Sequence, residues 1–466
     1  MRRLDHIRQK YGLPVILVIF TLLALLYDLT VPLFEKPDEL KHFAVIQYIQ
    51  TQQRLPIVHE GVYRPWDQEG TQPPLYHILA AVAVSWLDLS HFTEPPRNPH
   101  YADDRSFVWR ERGNNNLYLH PPGENWRLDP IIIAARLARW LSILAGLATI
   151  TLTYHLAKLV FSADPASKNR QSEITQFTNY LALIAAGLVA FLPQFLHVSS
   201  AITNDSLSTT LAAAALLLLA LIVKDGSSTR RALLLGIVLG FGIITKLSLL
   251  YLAPLIGLGL LFDGRRQRTW SRLLAHGTLI GGVALLLSSW WFWRNWHIYG
   301  DVTALNAHLL YRGGALDPRP SLAQIWQTEL VGLELSFWAA FGAGQVLLEP
   351  WLYALLRGVK YLALIGLAIG LWRMVRTRSS LPAEDRSALT ILLLLALWSM
   401  IIFIALLRWM QITPASLGRL LFPTLPALSI LSVWALSQLR LPNLSQNTSP
   451  VLRFTFHASP SAYPYS

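Results

Sequence analysis

Two adjacent carboxylates, Asp38 and Glu39, open the stretch "DELKHF" directly after an apolar run from Pro14 to Phe34. With Glu35, Lys36, Lys41 and His42, they put five charged groups and a histidine where the chain leaves that run. Two carboxylates side by side in a partly desolvated place repel, which favours protonation of one of them. That suits a general base with a neighbour that orients it, or a pair that ligates a metal with His42 beside it. The same residues also suit a plain helix start. Pro37 fits the first helical position, and acids in the first turn favour the helix dipole. A second polar group, Gln72 and Tyr76 in "QPPLYH", follows a double proline that fixes an extended entry into a short helix. "TNDS" brings Asn204 and Asp205 to another helix start, where the acid is a cap, a first-turn charge, a partner for Lys246 or an orienting group for a ligand. Tyr299 and Asp301 in "IYGD" read as turn residues, and His42 and His77 also fit ordinary interfacial histidines.

The elements that must position these groups are membrane helices. The chain has 466 residues, 53% hydrophobic and only 14% charged, against roughly a quarter charged in soluble domains. Apolar stretches near bilayer length recur at 14–34, 133–161, 177–197, 205–223, 231–245, 247–262, 273–293, 351–372, 389–407 and 418–437. The expected fold is an all-α polytopic bundle of about ten transmembrane helices, because lipid offers no partner for an unpaired backbone group. The net charge of +12 then belongs beside anionic headgroups rather than on nucleic acid. With no cysteine, disulfides and thiolate chemistry are excluded. The basic loops "RRLDHIRQK", "KNR", "STRR", "GRRQR" and "RMVRTR" fall on one side, which the positive-inside rule makes cytoplasmic. Both termini are then inside, and the segments 35–132 and 294–350 are outer loops of one unit, 1–437. The remainder, 438–466, reads as a loose cytoplasmic tail. In the first outer loop, 75–89 is short for a span and suits an interfacial helix. Phe43, Ile46, Tyr48 and Ile49 predict a second one resting on the membrane face.

An apolar first helix, "PDELKHF", "QPPLYH" and an arginine-bearing second helix ("ARLARWLSILAGLATITLTYHLAKLVF") come in that order. This resembles the GT-C class of membrane glycosyltransferases, most of all its protein O-mannosyltransferase and aminoarabinose-transferase branch. "ITNDSLSTTLAAAALLLLAL", "GIITKLSLLYLAPL", "WWFWRNWHIYGD" and "GRLLFPTLPALSIL" fit the same pattern, so the resemblance runs over about 14–436. It implies a plasma-membrane, cell-envelope enzyme whose site faces outward. The enzyme would move a hexosyl or pentosyl group from a polyprenyl-phosphate sugar to an acceptor hydroxyl. The match implies Asp38 as the base and Glu39 as its support, at a pKa near the working pH. It leaves open whether Asp38, Glu39 and His42 hold a divalent metal. A phosphate leaving group calls for cations at outer helix ends: Lys246, Arg419, Arg294 and Arg136, with Arg139 a turn further on. Lys246, in a very short apolar connection, and Arg419, at a helix start whose dipole opposes it, both call for an anionic partner. The alternative for each cation is an anchor on lipid headgroups. Candidate substrate contacts are His42, Gln72, Tyr76, Asn204 and Asp205. The long polar stretch 91–130 is expected to cover the acceptor side, with protein, lipid and glycan acceptors all open. The competing functions are a flippase for lipid-linked sugars and a silent component of envelope assembly. Against the first, no span carries a midplane charge series.

Overall fold

The computed structural model describes residues 2–59, 61–101, 116–124, 127–162, 171–310, 314–377 and 383–439. The expected tail, 438–466, lies almost wholly outside them, as does much of 91–130. Among the described residues sixteen α-helices follow in chain order. The first, α1 (Arg2–Thr30), leads to α2 (Glu39–Gln52), a 3-10 turn (Asp67–Thr71) and α3 (Leu75–Ala83). Then come α4 (Pro130–Phe161), α5 (Gln171–Ala190), α6 (Pro193–Ser199), α7 (Asn204–Asp225) and α8 (Thr229–Ile243). A 3-10 turn (Leu247–Tyr251) enters α9 (Leu252–Gln267), and α10 is Trp270–Tyr299. Short helices α11 (Leu305–Leu310), α12 (Leu322–Thr328) and α13 (Leu330–Trp338) precede an antiparallel ribbon that pairs Ala340 with Leu347 and Phe341 with Val346. The chain closes with α14 (Pro350–Thr377), α15 (Ala383–Met410), a 3-10 segment (Gly418–Thr424) and α16 (Leu425–Ser437).

Helices stand at all ten places where the sequence predicts spans. Among the described residues, eight are long and apolar enough to cross a bilayer, or nine if α5 and α6 form one broken span. Their 63° bend falls at Pro193, which lacks the N–H that would continue the helix. The tenth, α8, has 15 residues, short of the ~20 a straight crossing takes. The chain is a multi-pass membrane protein. The α10 helix continues through Arg294 to Tyr299, so Arg294 lies within the helix rather than after it. The helix expected at 75–89 is shorter, ending at Ala83.

The main core joins Phe20, Ile150, Phe195, Leu216, Leu235, Trp398 and Ile430, all nearly inaccessible. A second apolar cluster lies under the first loop segment. There Phe43 and Ile46 of α2 pack with Tyr76 and Ala80 of α3, Ala138 of α4 and Ile202. That apolar stripe of α2 faces protein, not lipid as the pattern suggests. Burying Phe43 and Ile46 against Ala134, Ala135 and Ala138 of α4 stabilises the docked helix by the usual apolar transfer.

Candidate active site

Each charged group of the 35–42 stretch finds its partner on a different element. Glu35 accepts from the backbone N–H groups of Leu117 (2.7 Å) and Tyr118 (2.9 Å). Its Oε1 also lies 2.8 Å from Nε2 of His120, whose Nδ1 is 2.6 Å from Glu124. Burial pulls the His120 imidazolium down, but the two flanking carboxylates outweigh it and raise its pKa to about 9. Lys36 is buried and donates to the carbonyl and hydroxyl oxygens of Ser200, the latter at 2.9 Å. Burial, then Arg139, holds its ammonium well below the usual lysine range.

Glu39 is fully buried. Its carboxylate accepts two N–H bonds from Arg139 of α4, both 2.7 Å, and one each from the backbone of Phe34 (2.9 Å) and Ile202 (3.0 Å). Arg139 is completed by the Asp28 carboxylate (3.2 Å) and by the carbonyls of Asp28, Val31 and Pro32. Burial pushes the Glu39 carboxyl up, and Arg139, Lys36 and the Ile202 amide more than reverse it. This carboxylate has no free lone pair left for a metal or substrate. Its part is to bind the exit of α1 to α4 and to the start of α7.

Asp38 takes the opposite course. It precedes α2 with φ 58° and ψ 8°, the left-handed region, and makes no capping bond to the helix. That conformation costs roughly 1–2 kcal/mol for an L-residue, least for Asp and Asn. It turns the side chain out of the helix start that the sequence suggests and into an ion pair with Arg419 of the 418–424 segment. Lys41 lies 3.7 Å from its other oxygen and 2.7 Å from Asp67. Arg419 donates through Nη1 to Asp205 at 2.9 Å, and Asp205 also pairs with Lys246. The result is one chain of ions, Asp38–Arg419–Asp205–Lys246, drawn from the start of α2, the start of α7, the α8–α9 turn and the entry to α16. Burial pushes the Asp38 carboxyl up, but Arg419, then Lys41 and His42, hold it well below the usual carboxylate range. The expected rise toward neutral pH is absent because Glu39 is neutralised by Arg139 while Asp38 faces cations.

Local sequence explains how Arg419 arrives there. A Cβ on Gly418 would lie 2.2 Å from the backbone nitrogen of Phe337, so only glycine lets this segment lie against α13. The Gly418 N–H donates to Ser336 Oγ at 2.8 Å. Lys246 is set by the α8–α9 turn, whose Ile244 carbonyl accepts from Leu75 N at 2.8 Å. Asn204 ties the same turn to the double-proline entry, donating to Gln72 Oε1 (2.7 Å) and to the Thr245 carbonyl (3.2 Å).

The other sequence candidates separate from this chain. Arg136 pairs with Asp28 at 3.0 Å. Arg294 donates to the Pro56 carbonyl at 2.7 Å. Tyr76, expected at the substrate, is inaccessible and donates to the Ala138 carbonyl at 3.0 Å, tying α3 to α4. His42 and His77 stack, with Nδ1 of the first 2.9 Å from Nε2 of the second. Burial, then His42, keeps His77 neutral. Tyr299 is the last residue of α10 rather than part of the turn and accepts from Val58 N at 3.1 Å, whereas Asp301 holds its own turn through Thr303 and Asn306, as expected of a turn residue. Asp38, Glu39 and His42 do not converge, and among the described residues no three His, Asp or Glu side chains are grouped to hold a metal. Lys41, Asp67 and buried Glu69, whose Oε2 is 3.7 Å from His42 Nε2, are further charged groups beside the site, as Glu35, Lys36, Asp28 and His120 are, for which the sequence indicates no role. Only the spacing of Lys41 three residues after Asp38 signals any of them.

Residues 175–293 match the family described as dolichyl-phosphate-mannose-protein mannosyltransferase. None of the curated proteins matches the chain. Among solved structures, ArnT from Cupriavidus metallidurans bound to undecaprenyl phosphate is similar at a TM-score of 0.50 and 16% identity, over 91% of this chain and 60% of ArnT. Apo ArnT gives 0.46 and 18%, again over 91% of this chain and 60% of the other. The Archaeoglobus fulgidus oligosaccharyltransferase with zinc and sulfate gives 0.48 and 14%, over 90% of this chain and 48% of the other. The chain thus spans about 60% of the length of ArnT. The fold is that of the GT-C membrane proteins, as the resemblance implies.

Proposed function

We propose that this chain is an integral membrane glycosyltransferase. It moves a hexosyl or pentosyl group from a polyprenyl phosphate to an acceptor hydroxyl at the outer face of the plasma membrane. The observation that carries the proposal is the ion chain itself. A partly exposed carboxylate, Asp38, and two cations, Arg419 and Lys246, meet at helix ends, and each cation already holds an anion. A lipid phosphate as donor is supported by the family match, which contains Asp205 and Lys246, and by the undecaprenyl phosphate of the similar ArnT structure.

The acceptor oxygen forms its bond to the anomeric carbon as the bond from that carbon to the phosphate oxygen breaks. The bonding pair leaves with the phosphate, whose charge Arg419 and Lys246 offset. The acceptor proton passes to Asp38. Glu39, committed to Arg139, holds the backbone on which Asp38 sits. Asp38 and Glu39 face different arginines, so the two adjacent carboxylates do not form a shared metal-binding pair. The acceptor is a protein, lipid or glycan hydroxyl. The test is transfer from a purified polyprenyl-phosphate sugar pool in liposomes. Asp38→Asn keeps the shape and removes the base, and should lower transfer at least about a hundredfold. Near-normal turnover by that variant rejects Asp38 as the base.

A further inference from the structure

We infer that Arg419 exchanges Asp38 for the phosphate of the donor, so that Asp38 is freed to act as base only once the donor is seated. The inference rests on the transferase proposal above and adds the order in which its groups are engaged.

The guanidinium of Arg419 is buried and unevenly used. Nη1 donates to Asp205 at 2.9 Å and Nη2 pairs with Asp38, while Nε has no hydrogen-bond partner. In an arginine, Nε and Nη2 share one edge of the planar fork, the edge that takes two oxygens of a phosphate or carboxylate in parallel. Here half of that edge is a buried N–H without an acceptor, which costs about 1–3 kcal/mol while it stays so. The other half is held by a single oxygen of Asp38. A phosphate that displaced Asp38 would use both halves and satisfy the orphaned donor.

Of the two acids on Arg419, Asp38 is the one built to leave. Its side chain is 23% exposed, against 3% for Asp205. Asp205 is also held by Lys246, whereas among the described residues Asp38 has beyond Arg419 only Lys41 within ion-pair distance, at 3.7 Å. The left-handed backbone at Asp38 is a further cost borne while the pair persists. Asp205 would stay and keep both cations pointed at the phosphate. When Asp38 leaves Arg419 it loses the largest of the influences that hold its carboxyl low, while burial, which pushes it up, remains. A base masked in this way would not activate the acceptor before a sugar is in reach.

The exchange makes a prediction that a simple phosphate site does not. Undecaprenyl phosphate would be titrated into wild type, Asp38→Asn, Arg419→Lys and the double variant in nanodiscs. If Asp38 competes for Arg419, Asp38→Asn should bind the lipid phosphate about tenfold more tightly than wild type, within the usual range of coupling between sites. Arg419→Lys should bind it more weakly. In the Arg419→Lys background, Asp38→Asn should give little or no gain. A gain of equal size in both backgrounds would mean a general field effect and would overturn the exchange. Unchanged or weaker binding by Asp38→Asn, with binding still lost in Arg419→Lys, would also overturn it and leave the transferase proposal standing. If no variant, wild type included, binds the lipid phosphate, the transferase proposal falls and the exchange with it.

Discussion

Replacing Glu39 with Gln separates the two adjacent acids by their effects. Each oxygen of Glu39 accepts one guanidinium N–H and one backbone N–H: Arg139 Nε with Ile202 N, and Arg139 Nη2 with Phe34 N. An amide of the same shape must turn its NH2 toward one of these two pairs. Two donors then face two donors in a site with no water access. Losing the bond to the charged partner costs about 1.5–3 kcal/mol, and leaving the backbone N–H unpaired about 1–3 kcal/mol. Asp28 still partners Arg139, so the buried guanidinium is not wholly uncompensated. The expected loss is therefore about 3–5 kcal/mol, as for breaking a buried pair. The assay is the denaturation midpoint in mixed micelles under SDS titration, followed by tryptophan fluorescence, with transfer measured per folded molecule. Glu39→Gln should unfold far earlier than wild type yet turn over at a near-normal rate while folded. Asp38→Asn should do the reverse: its amide oxygen can still accept from Arg419, which also keeps Asp205, so the loss of stability should be smaller than for Glu39→Gln, but its turnover should collapse. A Glu39→Gln protein with an unchanged midpoint and a hundredfold slower transfer would refute this assignment and make Glu39 a catalytic group.

Gly418→Ala should lower transfer at least about tenfold, because the new methyl must push the 418–424 segment off Phe337 and carry Arg419 with it. The same variant should weaken binding of undecaprenyl phosphate, and kinetics over a range of donor concentrations would show both effects. The fold raises the pKa of His120 to about 9, so protonated His120 is favoured in the folded state. Its contribution is complete below its unfolded pKa of about 6.5 and lost as the pH climbs through about 9. Thermal stability should therefore fall between pH 7 and 10 in wild type, and His120→Gln, less stable at pH 7, should be flatter over that window. Single cysteines at Ser228 or Arg266 should resist an impermeant thiol reagent in intact cells while one at Gln53 reacts; the opposite pattern would invert the proposed orientation.

The spans were readable because they depend on local composition alone: an apolar run long enough for a bilayer has few alternatives to a helix. The exceptions are where length fails, as in the 15-residue α8, or where a proline breaks the run, as at Pro193. Asp38, Asp205, Lys246 and Arg419 were likewise visible one at a time, as charges in apolar surroundings that must find partners. Of their partners, only the pairing of Asp205 with Lys246 was legible; the two acids that Arg419 joins were not. Asp38 and Arg419 stand 381 positions apart, and their meeting depends on α13 accepting Gly418 against its backbone. Arg136 and Arg139 show the same limit from the other direction. Both carry the charge a phosphate needs at a helix entry, but Asp28, whose position inside the first apolar run gives no hint of it, takes them both.

The different fates of Asp38 and Glu39 follow from one backbone angle. If both stood in the first turn of α2, their side chains would project from the same helix surface about 100° apart and share one environment, where mutual repulsion would raise one of them. Asp38 stands instead in the left-handed region, at φ 58°, outside the helix that Glu39 begins. Glu39 then points into the protein toward Arg139, and Asp38 points out along the face that Arg419 and Lys41 share. The repulsion is relieved by separating the charges onto different cations rather than by protonation. This is why the pair yields one structural carboxylate and one that is ionised, partly exposed and exchangeable. It also explains the residue order. Asp tolerates the left-handed region better than most residues with a Cβ, and the longer Glu reaches the buried arginine. Exchanging the two would place the less tolerant residue in the strained position and leave Arg139 out of reach.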